Sequence, residues 1–176
     1  KPVFTDVTIG FRAPDDDENR YFNPKLGGGA ALDITVYAYE IAAFMMGMRP
    51  EITDVQAVRY HTGVDASELI SMRAGDCLCT LRTSFVSNVN EGLCIVGEGG
   101  RIVVPHPHYA NEAFLYGNDG KLIEHFVDEG PKNGFIYEIQ EVVRCVYDGR
   151  IESEIQSHED TLECARLFDR IHAAVK

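Results

Sequence analysis

Apolar and polar residues recur with two different periods along this chain, and the change of period divides it into elements. Over residues 3–11, Val7, Ile9 and Phe11 fall on every second position, as on a strand with one buried face. An acidic stretch runs to residue 26, and a helical pattern then occupies residues 30–48, closed by Pro50. Seven further segments have strand character: 54–61, 68–74, 77–86, 93–98, 101–105, 113–117 and 121–127. Turn chemistry at Ala74-Gly75-Asp76, Gly97-Glu98-Gly99-Gly100 and Asn118-Asp119-Gly120 joins several of them as antiparallel hairpins, which predicts a large meandering sheet. Two helices follow. Residues 137–149 carry Ile139, Val142, Val143 and Val146 on one stripe and end at Gly149, while 158–175 follow Ser157, a good N-cap, with Leu162, Ala165, Phe168, Ile171 and Val175 expected to face inward.

A block of strands with helices before and after it predicts an α+β fold: a large, mainly antiparallel sheet whose helices cover one face. The other face must then be solvated or paired, and pairing through it predicts an oligomer. No repeat interrupts the pattern, so one domain spanning residues 1–176 is expected, with Pro131-Lys132-Asn133 the nearest approach to a linker.

Composition narrows the function class. With a net charge of -12 and no basic run, the chain lacks the clustered Lys and Arg that nucleic acid binding requires. Asp15-Asp16-Asp17-Glu18 reads as a solvated loop. The apolar runs are read as falling short of the ~20 residues of a membrane span, which predicts a soluble protein. Five cysteines, an odd number without CxxC spacing, suit a reducing cytoplasm. Lys1 is neither an initiator Met nor part of a signal segment, so an upstream portion of the protein is expected.

The candidate chemistry gathers at "GGGAALDITVYAYE", residues 27–40. At 100° per residue, Asp33, Tyr37, Glu40 and Phe44 share one sector of the helix, and Ile34, Ala38, Ile41 and Met45 lie about 100° away on the expected core face. This sets a carboxylate and a phenol one turn apart near a helix N-terminus, where unpaired N–H groups favour polar or anionic ligands. Gly27, Gly28 and Gly29 clear side chains from that approach. Spacing alone leaves a second reading open, in which the glycines make a turn, Asp33 complements the helix dipole and Tyr37 belongs to the core. His106 and His108 lack the further ligands of a metal site, so no metal is expected there. His61 and the Cys77/Cys79 pair read as sheet residues.

"NPKLGGGAALDITVYAYEIAAFMMG" resembles the segment that opens the C-terminal domain of the glucose-fructose oxidoreductase/inositol dehydrogenase-type (Gfo/Idh/MocA) family. "TGVDAS" (62–67), "GEGGRIVVPHPHY" (97–109), "GFIYEIQEVVRCVYDGRIES" (134–153) and "TLECARLFDRI" (161–171) follow in that family's order. The tyrosine version is most similar to the dimeric dihydrodiol dehydrogenase branch. The resemblance implies a glyceraldehyde-3-phosphate dehydrogenase C-terminal-domain-like fold within a two-domain enzyme that uses NAD or NADP. The chain has no strand followed by GxGxxG, so the N-terminal Rossmann domain, and the catalytic lysine it carries, are expected to be absent from these residues.

Carried onto this sequence, the resemblance makes Tyr37 the general acid/base and Asp33 the carboxylate that orients the lysine or a substrate hydroxyl. Arg20 and Asn23 become candidates for polar substrate oxygens. The implied function is the substrate-binding and dimerisation domain of an oxidoreductase transferring hydride to or from a sugar, polyol or cyclic diol, assembled as a homodimer or homotetramer; the chain alone is expected to be inactive. The alternatives are a non-catalytic ligand-binding or dimerisation module of the same fold and a purely structural sheet domain.

Overall fold

The computed structural model describes residues 1–130 and 133–175. Pro131 and Lys132 of the expected linker lie outside the described residues. One sheet holds eight strands: β1 (Pro2–Gly10), β2 (Glu51–Arg59), β3 (Asp65–Ala74), β4 (Cys77–Ser84), β5 (Gly92–Gly97), β6 (Gly100–Val104), β7 (Glu112–Gly117) and β8 (Leu122–Val127). Each strand expected from the alternation is present. The order is β2-β3-β4-β1-β5-β6-β7-β8, so the meander is interrupted by its first strand. β1 lies parallel to β4, with Phe4 opposite Leu78 and Val7 opposite Leu81, and antiparallel to β5. The connection over residues 85–91 is too long for a tight hairpin and leaves a gap between β4 and β5, which β1 fills with Val7 and Ile9, both buried.

Three helices complete the fold: α1 (Val36–Met46), α2 (Phe135–Tyr147) and α3 (His158–Ala174). α1 packs on β1 and β4, and α3 on β2 and β3, over one face of the sheet. Between these layers lie Val7, Ile70, Met72, Leu81 and Leu93 from the strands, Ala38, Tyr39 and Ala42 from α1, and Cys164, Leu167 and Ile171 from α3. Both helices bury part of the expected face, Ile34 and Ala38 at the first and Ile171 and Val175 at the second, but each is turned somewhat from the expected phase. Met45 is exposed and Tyr39 buried in α1; Leu162 and Ala165 are exposed in α3, while Cys164 and Leu167 face inward. Each helix carries two overlapping apolar ladders, and the smaller residues, Ala38, Ala42 and Cys164, allow closer approach to the sheet.

α1 ends at Gly47, in the left-handed region at φ 64, before Pro50 is reached. Ser157 caps α3 in a reciprocal box with Asp160, and Arg49 Nε donates to the Asp160 carboxylate at 2.7 Å, tying the start of α3 to the exit of α1. α2 is different. Its stripe of Ile139, Val142, Val143 and Val146 is exposed rather than laid on the sheet. The 23-residue stretch Pro24–Met46 is long and apolar enough to cross a membrane by those measures, which corrects the expectation that no run approaches that length; 44% of an 18-residue apolar window within it is buried here.

The face away from the helices mixes apolar and charged side chains. One row crosses it through Arg73, Leu78, Phe4, Val96, Arg101 and Tyr116, each the register neighbour of the last. Phe4 and Leu78 in that row remain 47% and 43% exposed.

Candidate active site

The loop before α1 is organised by backbone demands. Asn23 Oδ1 accepts the Lys25 N–H at 2.9 Å and caps the short 3₁₀ turn Pro24–Leu26, which Gly27 ends at φ 72. Asn23 is itself buried and turned to this capping bond. A Cβ on Gly28 would stand 2.9 Å from backbone atoms of Asn23 and Tyr21; one on Gly29, at φ 121, would stand 2.5 Å from Asp65 Oδ1. The space beside these two glycines is thus occupied by the chain itself. Gly27 alone opens onto free space.

Next comes an irregular first turn. The Ala30 carbonyl accepts from the N–H groups of Asp33, Ile34 and Thr35, at 3.3, 2.9 and 3.0 Å, so the chain widens into a π turn over Ala31–Thr35 before α1 begins. Asp65 accepts the N–H of Ala31 on its side chain at 2.7 Å and that of Ala30 on its backbone at 3.2 Å. The positive end of the helix is therefore neutralised from inside the fold by a carboxylate that is 2% exposed. Below the turn, Thr35 Oγ1 donates to Glu68 Oε2 at 2.8 Å, and Thr83 bonds the same oxygen from β4.

On the outer side of the turn, Arg20 forks onto Asp33: Nη1 and Nη2 each donate to one carboxylate oxygen at 3.2 Å. The guanidinium also lies 4.3 Å from the Tyr21 ring centroid. Arg20, Asp33, Gly27 and Gly29 line one small depression of about 100 Å³ with Phe85. Tyr37 is 47% exposed and its hydroxyl bonds no described residue. It borders a separate apolar groove of about 490 Å³ between α1 and α3, lined also by Glu40, Ile41, Cys164 and Phe168. The structure thus joins Arg20 to Asp33 directly, sets Tyr37 one turn further on, and leaves Asn23 in the scaffold.

The turn at Pro107–Tyr109 brings His108 to within 6.4 Å of the Tyr37 ring, centroid to centroid. Burial lowers the His108 pKa, and its buried Nδ1 has no partner among the described residues. His106 instead pairs with Glu91 at 3.0 Å and His61 with Asp17 at 2.7 Å, both at the surface. Cys79 lies in the core, where burial pushes its thiol up to about 12 and makes it a poor nucleophile.

Asp65, Glu68, Thr35 and Thr83 were not among the residues singled out from sequence. A signal for Glu68 exists: it shares the parity of Ile70 and Met72 on a strand whose even positions face the core. Asp65 has the opposite parity and is turned in where the β2–β3 register shifts between Val58 and Arg59.

The chain matches the family model described as "GFO/IDH/MocA C-terminal domain" over residues 1–103. It is 32% identical to the trans-1,2-dihydrobenzene-1,2-diol dehydrogenase of Danio rerio, over 85% of this chain and 47% of that protein. It is 27% identical to the scyllo-inositol 2-dehydrogenase (NADP(+)) of Bacillus subtilis (strain 168), over 84% of this chain and 44% of that protein. Among solved structures, its fold is similar to that of a 3-ketoreductase from Actinomadura kijaniata crystallised with NADP and TDP-benzene; the TM-score is 0.81 at 18% identity, covering 100% of this chain and 55% of that one. The chain thus spans about half the length of the curated relatives it matches.

Proposed function

This chain belongs to the GFO/IDH/MocA C-terminal domain family, and from that premise we propose that it is the substrate-binding and oligomerisation domain of an NAD(P)-dependent oxidoreductase acting on a sugar, polyol or cyclic diol hydroxyl. The observation that carries the reading is the exposed Tyr37 phenol, one turn after an Asp33 already held in orientation by Arg20. The activities for which these relatives are named, on a dihydrodiol and an inositol, supply the substrate class.

The residues described here fit one side of such a site. Gly97 and Gly100 sit in the β5–β6 hairpin rather than at a strand-to-helix turn, so the dinucleotide phosphates would be held by another part of the protein, the proposed N-terminal Rossmann domain. Bound nicotinamide supplies or accepts the hydride. Tyr37 does the proton chemistry: its phenolic oxygen gives a proton to the substrate oxygen in reduction and takes one in oxidation. Asp33, fixed by two hydrogen bonds from Arg20, accepts a hydrogen bond from a neighbouring substrate hydroxyl or from the catalytic lysine of the other domain. His108, whose pKa burial lowers, stands beside the Tyr37 ring. We place the protein in the cytoplasm, consistent with five cysteines that are all free thiols.

Replacing Tyr37 by Phe in the complete enzyme keeps the ring and removes the exchangeable proton. The expected result is a fall in kcat of about 10²–10⁴-fold with cofactor affinity retained. A variant with unchanged kcat would remove Tyr37 from the mechanism.

A further inference from the structure

Two acidic residues lie inside the fold directly beneath the turn that carries the candidate acid/base pair. Asp65 and Glu68 are 2% and 4% exposed. One oxygen of Glu68 accepts from Thr35 and Thr83, whose hydroxyls also approach each other at 2.7 Å; its other oxygen, Oε1, is buried with no partner among the described residues. An ionised carboxylate with one bare oxygen in such a place is strongly disfavoured, whereas a protonated one turns that oxygen into a donor. The neighbouring carboxylate is Asp65, the same one that caps Ala31 and occupies the space a Gly29 side chain would need.

We propose that Asp65 and Glu68 are positioning residues: a buried carboxyl pair sharing one proton, which clamps the π turn 31–35 and so sets the phase between Asp33 and Tyr37. The consequence of the π turn is geometric. Opening one helical turn to an i→i+5 bond rotates everything after it relative to a continuous α-helix, so Asp33 and Tyr37 do not occupy the relative positions that 100° per residue would give. Thr35, the residue that closes the wide turn, is the one Glu68 holds. Thr35 thereby links the turn to β3 and β4 together, and Asp65 fixes its first residues from below.

Burial and the neighbouring Asp65 both push the Glu68 carboxyl well above the usual range. The groups facing the pair are the Thr35 hydroxyl from the turn, the Thr83 hydroxyl from β4, and His172 of α3, whose Nε2 is 3.8 Å from Asp65 Oδ1. Asp33, on the outer side, is engaged with Arg20. Because Glu68 binds its proton more tightly folded than unfolded, its contribution to stability is complete below about pH 4.3 and declines as pH rises towards its raised value.

This inference rests on the reading of Asp33 and Tyr37 as the site, and its test separates the two. In the isotopically labelled 176-residue chain, the Glu68 carboxyl carbon is expected to show the protonated chemical shift at pH 7. Glu68→Gln, a neutral mimic, should leave the amide resonances of residues 31–37 in place and flatten the stability decline above pH 4.3. Glu68→Ala should displace those resonances and speed amide exchange over 33–37 by about tenfold, the effect of one net hydrogen bond lost. Thr35→Val provides the same comparison if Glu68→Ala fails to fold. An ionised Glu68 at pH 7, a Glu68→Gln turn as loose as that of Glu68→Ala or Thr35→Val, or unchanged exchange in both of the latter overturns the clamp. Inactivity of Tyr37→Phe bears on neither readout, and a fully active Tyr37→Phe enzyme removes the functional reading while leaving the clamp to stand or fall on these spectra.

Discussion

Gly29→Ala tests how tightly the turn is built. The new methyl carbon would arrive 2.5 Å from Asp65 Oδ1, 2.9 Å from its Cγ and 3.0 Å from Oδ2, so a buried carboxylate, and no flexible side-chain tip, must give way. Two contributions add. Holding a non-glycine residue at φ 121 costs about 1–3 kcal/mol. Moving Asp65 off the Ala31 N–H, a 2.7 Å bond to a charged acceptor, costs about 1.5–3 kcal/mol more. The sum, about 2.5–6 kcal/mol, is a large part of the total stability of an ordinary domain, roughly 5–15 kcal/mol. At roughly 2–4 °C per kcal/mol for a chain of this size, the midpoint should fall by at least about 5 °C and, near the middle of the range, by about 13 °C. Gly27→Ala is the internal control, because Gly27 also has positive φ, at 72, but nothing lies within 4 Å of its Cβ position. It retains only the backbone contribution, about 1–2 kcal/mol for the left-handed region. Calorimetric melts of both variants decide the matter. If Gly29→Ala melts no lower than Gly27→Ala, then Asp65 is free to move and the turn is not packed around it.

Acid should loosen the start of α3. Ser157 and Arg49 lower the Asp160 carboxyl to about 2, so its contribution is complete above about pH 4, the ordinary Asp value, and is lost as pH falls through about 2; Asp160→Asn should flatten the stability curve across that window, and a slope equal to wild type would discount the cap. We also propose that two copies pair through the sheet face bearing Phe4 and Leu78, where exposed apolar side chains sit among Arg73 and Arg101. Sedimentation at micromolar concentration should give a dimer or larger symmetric assembly, and Leu78→Glu should shift it to monomer; a wild-type chain that sediments as a monomer counts against the pairing.

Much of this molecule was settled by local sequence. Strand alternation is a property of the chain with period 2, so all eight strands could be read within a few residues of their ends, as could the turns at Gly75 and Gly120 and the Ser157 cap. The glycine triplet and the Asp33–Tyr37 spacing were equally visible. What local sequence could not decide is which of two competing surfaces a helix buries. That choice fell to packing, which added Tyr39 and Ala42 to the expected Ala38 in α1, and Cys164 and Leu167 to the expected Ile171 in α3. The place of β1 between β4 and β5 is a pairing across more than sixty positions of chain, and no short-range pattern encodes it. The same holds for the site. Arg20 meets Asp33 only because the loop folds back over the turn, and Gly29, already favoured as glycine by its φ of 121, has no room for a side chain because Asp65, thirty-six positions later, is turned inward by a shift in strand register. Sequence wrote the elements; long-range packing, which alone brings distant side chains within bonding distance, decided what those glycines face.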